Sequence, residues 1–405
     1  MAETRIECAE CRTAFHGHED RENCSACGGG LWILPDLRAG AWSELREGWK
    51  ARPPGVWRYR ELLPTGAAAP VTLGEGGTGL LSVSLGGGLS AFVKNEGQNP
   101  TGSFKDRGIT VGMTHARALG KPRVVCASTG NTAASLAAYA ARAGLECIVL
   151  VPAGGIAQGK LAQATFEGAR VVGLRGNFDD AMRLVFGVAD RLDAYVLNSV
   201  NPYRVEGQKT AAFEVFEQLG DRVPDWLVCP VGNGGNLAAY WKGFRELKAL
   251  GATDRLPRLV GVQADRAAPI ADAILAERPA ITPVPKPETM ASAIRIGNPS
   301  NWRKTLRAIR ESGGTAVKLP DAAIAEGQSW LARTQGIFVE PASAASVAAA
   351  RRLAGEGVFA GGASVVCVAT GHGLKDPEAA LRGQARMLPV EPTLDAIETA
   401  LTGGR

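Results

Sequence analysis

The sequence lacks several features that would assign it to a common class of protein. Its 405 residues carry a formal net charge of only +5, and no run of Lys and Arg is dense enough to indicate a nucleic-acid or membrane surface. No apolar stretch approaches the roughly 18 residues that a membrane-spanning helix needs. The first residues are charged, so we expect no signal peptide and a cytoplasmic protein with reduced thiols.

Two common nucleotide-binding motifs are also missing. There is no GxxxxGK[ST] sequence and no GxGxxG sequence with an acidic residue downstream, which argues against NTP and dinucleotide sites. Glycine, in contrast, is abundant, with 51 residues, many of them in short loops after apolar runs. Together with 45 % hydrophobic and 21 % charged residues, this composition is typical of an α/β enzyme of two or three domains.

Short β-branched runs alternate with amphipathic stretches from about residue 120 onwards. Strands are predicted at residues 123–127, 147–151 and 170–174, with helices between them. This alternation, with nearly continuous apolar strands, predicts a parallel sheet covered by helices on both faces. A second series between residues 226 and 369 predicts a second α/β lobe. Open α/β sheets bind ligands at the carboxyl ends of their strands.

Four of the eight cysteines form two CxxC pairs near the start of the chain: Cys8, Cys11, Cys24 and Cys27. Paired CxxC turns can present four thiolates to a tetrahedral Zn²⁺, and the metal then replaces a core that about forty residues cannot build. Incidental thiols and a redox CxxC are the alternatives. His16 and His18 lie between the pairs and are expected to face solvent, although either could replace a thiolate. The acidic character of the segment argues against nucleic acid, so we predict a structural metal site.

A lysine stands at a predicted helix start within residues 99–108. Ser103 lies three residues before Asp106, a spacing typical of a helix N-terminus, and this places Lys105 in the first turn. The positive helix end disfavours the ammonium form, and Schiff-base chemistry needs a lysine of lowered pKa. Taken alone, such a lysine is more often simply solvated.

Three polar loops follow predicted strands. Residues 128–132 offer hydroxyls, an amide and helix-start N–H groups to a small anion such as a carboxylate. Residues 232–236, Gly-Asn-Gly-Gly-Asn, can cradle a phosphate with backbone N–H groups, although tight turns use glycine in any case. The hydroxyl of Thr370, after the last strand, could meet a ring nitrogen or cap a turn.

A fourth loop, residues 198–204, ends a strand with two amides, a hydroxyl and Arg204. Such a set could hold a second phosphate through charge-assisted hydrogen bonds. The alternative is that Arg204 pairs with Glu206 on the surface.

In this order along the chain, the motifs resemble the fold-type-II family of pyridoxal-phosphate enzymes and, within it, the threonine synthases. The likeness runs from about residue 73 to 377, and the runs at 198–204 and 370–377 resemble threonine synthases specifically. It implies a tryptophan synthase β-like fold of two doubly wound α/β lobes with a small N-terminal zinc-ribbon-like knuckle. The implied boundaries are 1–40 for the knuckle, 41–97 plus 197–380 for a large lobe that binds pyridoxal phosphate, 98–196 for a small lobe and 381–405 for a helical tail.

The resemblance also implies a role for each candidate residue. Lys105 would be catalytic and would carry pyridoxal 5'-phosphate as a Schiff base. The other cofactor-binding residues would be Asn131 at the ring hydroxyl, Thr370 at the ring nitrogen, and Gly232, Asn233, Gly234, Gly235 and Asn236 at the phosphate. The substrate-binding residues would be Ser128, Thr129 and Thr132 at the carboxylate, and Asn198, Ser199 and Arg204 at the phosphate of O-phospho-L-homoserine.

The implied reaction is γ-elimination of phosphate and β-addition of water, giving L-threonine and phosphate, in a homodimer without nucleic-acid or membrane partners. Two positions depart from the family pattern: Gly79 stands where proline is usual, and Gln335 where glutamate is usual. Gly79 could loosen a loop near the ligand. Dehydratases and cysteate synthase, which use the same cofactor, are the alternatives among enzymes. A non-catalytic binding protein that works through its knuckle is the alternative outside them.

Overall fold

The computed structural model describes residues 5–16, 23–35, 37–38, 40–85, 88–153, 158–176, 178–381, 387 and 389–402. Its strands are β1 (Arg5–Cys8), β2 (Ala14–His16), β3 (Leu31–Leu34), β4 (Leu80–Val83), β5 (Ser90–Asn95), β6 (Arg123–Ala127), β7 (Glu146–Pro152), β8 (Arg170–Leu174), β9 (Ala194–Val196), β10 (Trp226–Pro230), β11 (Arg258–Ala264), β12 (Thr315–Leu319) and β13 (Ser364–Ala369). Its α-helices are α1 (Trp42–Lys50), α2 (Lys105–Ala118), α3 (Asn131–Ala143), α4 (Gln158–Phe166), α5 (Phe178–Leu192), α6 (Pro202–Gln218), α7 (Gly235–Ala249), α8 (Pro269–Leu275), α9 (Trp302–Glu311), α10 (Asp321–Gln335), α11 (Pro341–Gly355), α12 (Pro377–Leu381) and α13 (Leu394–Thr402).

The strands form three sheets. A small antiparallel sheet has the order β2-β1-β3 and carries the cysteine pairs at its ends. A six-stranded sheet has the order β12-β11-β10-β13-β5-β4 and is parallel except for β4. A four-stranded parallel sheet has the order β8-β7-β6-β9. The two predicted parallel sheets are therefore confirmed.

The sequence of most parallel strands explains why the sheets are covered on two faces, whereas no residue of the edge strand β8 is buried. Strand β7, for example, is buried from Cys147 to Val151, with no alternation of exposed side chains. Helices α10 and α11 cover one face of the six-stranded sheet, and α6, α7 and α9 cover the other. In the four-stranded sheet, α2 and α3 pack on one face and α5 on the other. Burial of apolar strands on both faces is what parallel sheets require.

Local signals account for several helix ends. Asn201 caps α6 by accepting a hydrogen bond from the backbone N–H of Tyr203, and Pro202 occupies the first helical position. Helix α3 ends at Gly144, whose φ of +71° suits a left-handed C-cap. None of the helices in the described part of the chain is both long and apolar enough to cross a membrane.

Two sets of predictions have different outcomes here. The cysteines outside the CxxC pairs are buried beside apolar residues, as expected for Cys126, Cys147, Cys229 and Cys367. The lobe boundaries remain a prediction. Parts of the predicted helical tail, residues 382–386, 388 and 403–405, and also His18, lie outside the described residues.

Candidate active site

A cavity of about 410 Å³ lies where the carboxyl ends of β6, β9, β10 and β13 meet. It brings together every residue that the sequence nominated for cofactor or substrate: Lys105, Ser128, Thr129, Asn131, Thr132, Asn198, Ser199, Arg204, Gly232, Asn233, Gly234, Gly235, Asn236 and Thr370. The parallel topology explains this convergence, because loops that follow parallel strands emerge at one edge of each sheet. The two departures, Gly79 and Gln335, are not among the lining residues.

Lys105 is the first residue of α2 and lies at the wall of the cavity. Burial and the positive charge of Arg204 lower its pKa to about 7, against a smaller opposing effect of Glu340. Its Nζ lies 4.3 Å from the centroid of the Phe104 ring. Near neutral pH a large fraction of this amine is therefore uncharged and nucleophilic.

The reason given for the helix start was wrong in one respect. Ser103 and Asp106 do not form a reciprocal cap: Ser103 Oγ accepts from the Lys105 N–H at 3.4 Å, whereas the Asp106 carboxylate accepts from the backbone N–H of Thr101 at 2.7 Å and from Ser135 Oγ at 2.6 Å. Asp106 is thus committed to the preceding turn and to α3, and burial raises its pKa to about 6. The helix begins at Lys105, which the sequence had placed in the first turn.

A buried ion network anchors α2 two residues beyond Lys105; its members are Lys94, Glu96, Arg107 and Glu214. Arg107 donates to Glu96 from Nε at 2.6 Å and to Glu214 from Nη2 at 2.7 Å, and Lys94 reaches the same Glu214 oxygen at 2.7 Å. Burial would raise the pKa of Glu214, but Arg107 and Lys94 outweigh it and hold that pKa at about 2. The network connects α2 to β5 and α6. It therefore holds the first turn of α2, and with it the backbone of Lys105, in place.

The glycine cradle, residues 232–236, connects β10 to α7. Gly234 is the N-cap of α7 with a φ of +86°, and a Cβ at this position would lie 2.1 Å from Thr305 Oγ1. Asn233 Oδ1 accepts from the N–H of Ser300 at 3.3 Å and from its hydroxyl at 3.1 Å. Because Gly234 has no side chain to cap the helix, the first N–H groups of α7 are left for a ligand, which is the geometry that binds phosphate.

The Thr370 hydroxyl and the Glu340 carboxylate line another part of the cavity, and the buried Ser343 hydroxyl contacts Thr370. Thr370 Oγ1 lies 3.0 Å from Ser343 Oγ, which also accepts from the Gly371 N–H at 2.7 Å. Asn131 Nδ2 donates to the Glu340 carboxylate at 3.0 Å, and burial raises the pKa of Glu340. Ser343 and Glu340 were not nominated as site residues. The run 340–344 carried the only sequence signal for them, a glutamate followed by proline at a helix start.

The loop of residues 128–132 is half-buried and faces the cavity. Asn198 holds the residue that precedes this loop. Its Oδ1 accepts from the Ala127 N–H at 3.0 Å, and its Nδ2 donates to the Ala127 carbonyl at 2.9 Å. Both polar atoms of this amide are therefore bound to the end of β6. This arrangement favours a supporting role for Asn198 over direct contact with a substrate phosphate.

Arg204 is in the first turn of α6, where it is 2 % exposed and donates from Nη1 to the Leu197 carbonyl at 3.2 Å. The alternative of a surface pair with Glu206 is wrong, because Glu206 is buried and pairs with Lys209 at 2.5 Å and with Lys242 at 2.9 Å. Ser199, nearby, has its hydroxyl 3.0 Å from that of Ser300. Ser300 therefore connects Asn233 of the cradle to Ser199 in the loop of residues 198–204.

The four cysteines of the knuckle form a cluster whose sulfur atoms all lie within 4.8 Å of one another; we call Cys8, Cys11, Cys24 and Cys27 the cysteine cluster. The Sγ atoms of Cys8 and Cys27 are 3.4 Å apart, and those of Cys11 and Cys24 are 3.6 Å apart. Four thiolates around one Zn²⁺ at about 2.3 Å would be about 3.8 Å apart. The spacing in the structure fits such a site.

Gly79 has both of its backbone polar atoms hydrogen-bonded, and the looser loop expected there stays a prediction. Its N–H donates to Gln98 Oε1 at 2.6 Å, and its carbonyl accepts from the Asn95 N–H at 2.9 Å. The backbone at Gly79 is therefore held at both polar atoms.

Comparison with known proteins adds independent findings. A family model described as pyridoxal-phosphate dependent enzyme matches residues 71–371. Threonine synthase of Methanosarcina acetivorans is 50 % identical over 406 residues, covering 98 % of each chain, and that of Methanocaldococcus jannaschii is 49 % identical over 400 residues, covering 97 % of this chain and 98 % of the relative. Among solved structures, processed threonine deaminase isoform 2 from Solanum lycopersicum has a TM-score of 0.65 at 19 % identity, covering 87 % of this chain and 97 % of that one, a likeness of fold alone. The family match and this likeness confirm the predicted fold class.

Proposed function

This chain belongs to the pyridoxal-phosphate-dependent enzymes and, within them, to the threonine synthases, and we propose that its cavity converts O-phospho-L-homoserine and water to L-threonine and phosphate. One observation carries the assignment of the site: a lysine with a pKa of about 7 lies in the same cavity as a glycine cradle and a buried arginine. The cavity thus contains one amine, that of Lys105, and two separate anion-binding sites, the glycine cradle and Arg204. A substrate that bears its own phosphate needs both.

The residues present fit pyridoxal 5'-phosphate. The uncapped N-terminus of α7 and the glycine cradle suit its phosphate, and Lys105 suits its aldehyde. Thr370 would meet the ring nitrogen with a hydroxyl, and Asn131 would meet the ring hydroxyl. When bound, this cofactor delocalises negative charge that develops on the substrate carbons.

The loop of residues 128–132 would hold the substrate carboxylate, with Ser128, Thr129 and Thr132 supplying hydroxyls and the start of α3 supplying N–H groups. Asn198 would hold that loop in place through Ala127. The carboxylate is thereby kept on the small-sheet side of the cavity, away from the glycine cradle.

Lys105 is the group that would move the proton at the substrate Cα, because its pKa of about 7 lets it accept and release a proton near neutral pH. A proton is then lost from Cβ, and its electron pair forms the Cβ–Cγ double bond as the Cγ–O bond to phosphate breaks. Arg204 and Ser199 would bind the γ-phosphate and stabilise the charge that grows on it in this step. No histidine is among the described residues that line the cavity. We propose that the released phosphate, held by Arg204, is the base for the water that adds at Cβ.

The cysteine cluster would hold a structural Zn²⁺ with four thiolates, as supported by the sulfur spacing. Metal analysis of the purified protein is expected to find about one zinc per chain. A metal-free protein with four additional titratable thiols would contradict this assignment. The family resemblance also supports a cytoplasmic location and a homodimeric state. Sedimentation at several protein concentrations would test the homodimer.

Incubation of the purified protein with O-phospho-L-homoserine tests the proposal directly. We expect threonine and free phosphate in equal amounts. The control substrate is O-phospho-L-serine with sulfite, the reaction of cysteate synthase, and we expect no product from it. Phosphate release from phosphoserine with none from phosphohomoserine would contradict the proposed function.

A further inference from the structure

Helix α9 stands between two features that are far apart in the sequence, the cysteine cluster and the glycine cradle. One side of the helix contacts the cradle and another side contacts the knuckle. The sequence predicted only a structural metal site for the knuckle. The contacts of α9 indicate a direct mechanical connection.

On the cradle side, α9 and its N-cap residue Asn301 are hydrogen-bonded to the loop. Thr305 Oγ1 donates to the Gly234 carbonyl at 3.0 Å, and the Asn301 N–H donates to the Asn233 carbonyl at 2.9 Å. Thr305 is fully buried, and the space at Gly234 is so tight that a Cβ there would lie 2.1 Å from Thr305 Oγ1. A small displacement of α9 would therefore move the backbone of the cradle.

On the knuckle side, two cationic side chains fix the helix. Lys304, which is 4 % exposed, donates from Nζ to the Leu31 carbonyl at 2.7 Å, and its Nζ lies 4.4 Å from the centroid of the Trp32 ring. Arg307 donates from Nη1 to the Ala9 carbonyl at 2.7 Å. Ala9 lies inside the first CxxC turn, directly after Cys8. The helix is thus hydrogen-bonded to the loop that carries two of the thiolates.

We infer that Lys304 and Arg307 are positioning residues for the cofactor phosphate. They hold α9 against the metal-binding turn, and α9 in turn holds the cradle through Thr305 and Asn301. Lys304 and Thr305 are adjacent in one rigid helix, so the two contacts cannot move independently. The Lys304 ammonium is buried, so losing its bond to the Leu31 carbonyl would cost free energy. This cost restricts movement of α9 away from the knuckle. The inference rests on the proposed function, since it assigns a phosphate to the cradle.

The test uses two ligands that differ only in the phosphate: pyridoxal 5'-phosphate and pyridoxal. Their dissociation constants are measured by absorbance with the wild-type apoenzyme and with Lys304→Met and Arg307→Met. We expect the dissociation constant of pyridoxal 5'-phosphate to rise about fivefold or more in each variant, within the usual range for coupled sites, and that of pyridoxal to stay unchanged. Arg310→Met is the matched control, because Arg310 is exposed on the same helix and bonds the Arg278 carbonyl instead of the knuckle.

The ligand pair separates positioning from general structural support. Equal weakening of both ligands, or unchanged affinity for both, would overturn the inference. If Lys304→Met fails to fold, Arg307→Met carries the test, since its side chain is only half-buried. A wild-type protein that binds neither ligand would instead contradict the proposed function on which the inference rests.

Discussion

The amide of Asn131 is oriented by Glu340: its Nδ2 donates to Oε2 at 3.0 Å and approaches Oε1 at 3.3 Å. A carboxylate only accepts hydrogen bonds, so it turns the NH₂ group toward itself and the amide oxygen away. The second N–H of the same group is left for the ring hydroxyl that we assign to Asn131. The orientation of this proposed cofactor contact is thus set by Glu340, the N-cap residue of α11.

Glu340→Gln should weaken the orientation of the Asn131 amide. A glutamine can donate as well as accept a hydrogen bond, so the amide of Asn131 can also bind in the flipped orientation. We expect kcat/KM to fall about tenfold or more, the scale of one lost charge-assisted hydrogen bond. Steady-state kinetics with phosphohomoserine measure it. Glu326→Gln is the control, since Glu326 lies on α10 with its side chain 73 % exposed. Wild-type kinetics in Glu340→Gln would remove this role.

The pKa of Lys105 sets the pH dependence of cofactor attachment. Only the neutral amine reacts, and its pKa is lowered from 10.5 to about 7, so the rate of reconstitution of the apoenzyme should be half-maximal near pH 7 and fall below it. Stopped-flow absorbance after mixing with pyridoxal 5'-phosphate gives this profile. Lys105→Ala should show neither the Schiff-base absorbance nor turnover, whereas Lys121→Ala, at a lysine outside the cavity that pairs with Asp193, should retain both. A half-point near pH 10 would contradict the lowered pKa.

Arg204→Met should change both binding and the pH profile. Arg204 lowers the pKa of Lys105, so its removal should raise that pKa and shift the half-point of reconstitution to higher pH. We also expect KM for phosphohomoserine to rise and kcat to fall, together about 100-fold in kcat/KM, because binding and departure of the phosphate both use this charge. Arg222→Met, at an exposed position just beyond α6, is the control. An unshifted profile with unchanged KM would place Arg204 outside the substrate site.

Gly234→Ala should disrupt the cradle. The left-handed φ of +86° costs an alanine about 1–2 kcal/mol, and its Cβ would also clash with Thr305 Oγ1 at 2.1 Å. Gly251→Ala separates the two effects, because Gly251 has a φ of +82° but ample space: the nearest atom to an added methyl would be the Gly40 nitrogen at 3.9 Å. We expect both variants to lose thermal stability and only Gly234→Ala to lose affinity for pyridoxal 5'-phosphate. Equal cofactor affinity in the two variants would contradict the importance of the contact.

Much of the site could be predicted because its signals are local. Apolar runs marked the strands, and polar or glycine-rich loops directly after them marked the residues that a parallel topology gathers at one edge. Lys105 and the residues of the cradle belong to this class. Their neighbours in the sequence made them candidates, and the family resemblance supplied their expected roles.

The remaining parts depend on contacts between distant segments, which no local pattern encodes. Thr305 contacts Gly234 from α9, and Glu340 at the start of α11 bonds Asn131 at the start of α3. The burial of Arg204 is of the same kind, since its local sequence equally allowed an exposed ion pair with Glu206. Such features follow from packing and became visible only in three dimensions.

The buried ion network behind Lys105 restricts how sequences of this fold can diverge. Replacing Glu214 alone would leave Lys94 without a carboxylate partner and Arg107 with Glu96 alone, so that one buried positive charge is uncompensated. Such a loss costs about 3–5 kcal/mol, a large part of the stability of an ordinary domain. We therefore expect the four residues of the network to be replaced together or kept together as sequences of this fold diverge. Natural variants that differ at one of the four positions are expected to differ at its partners as well.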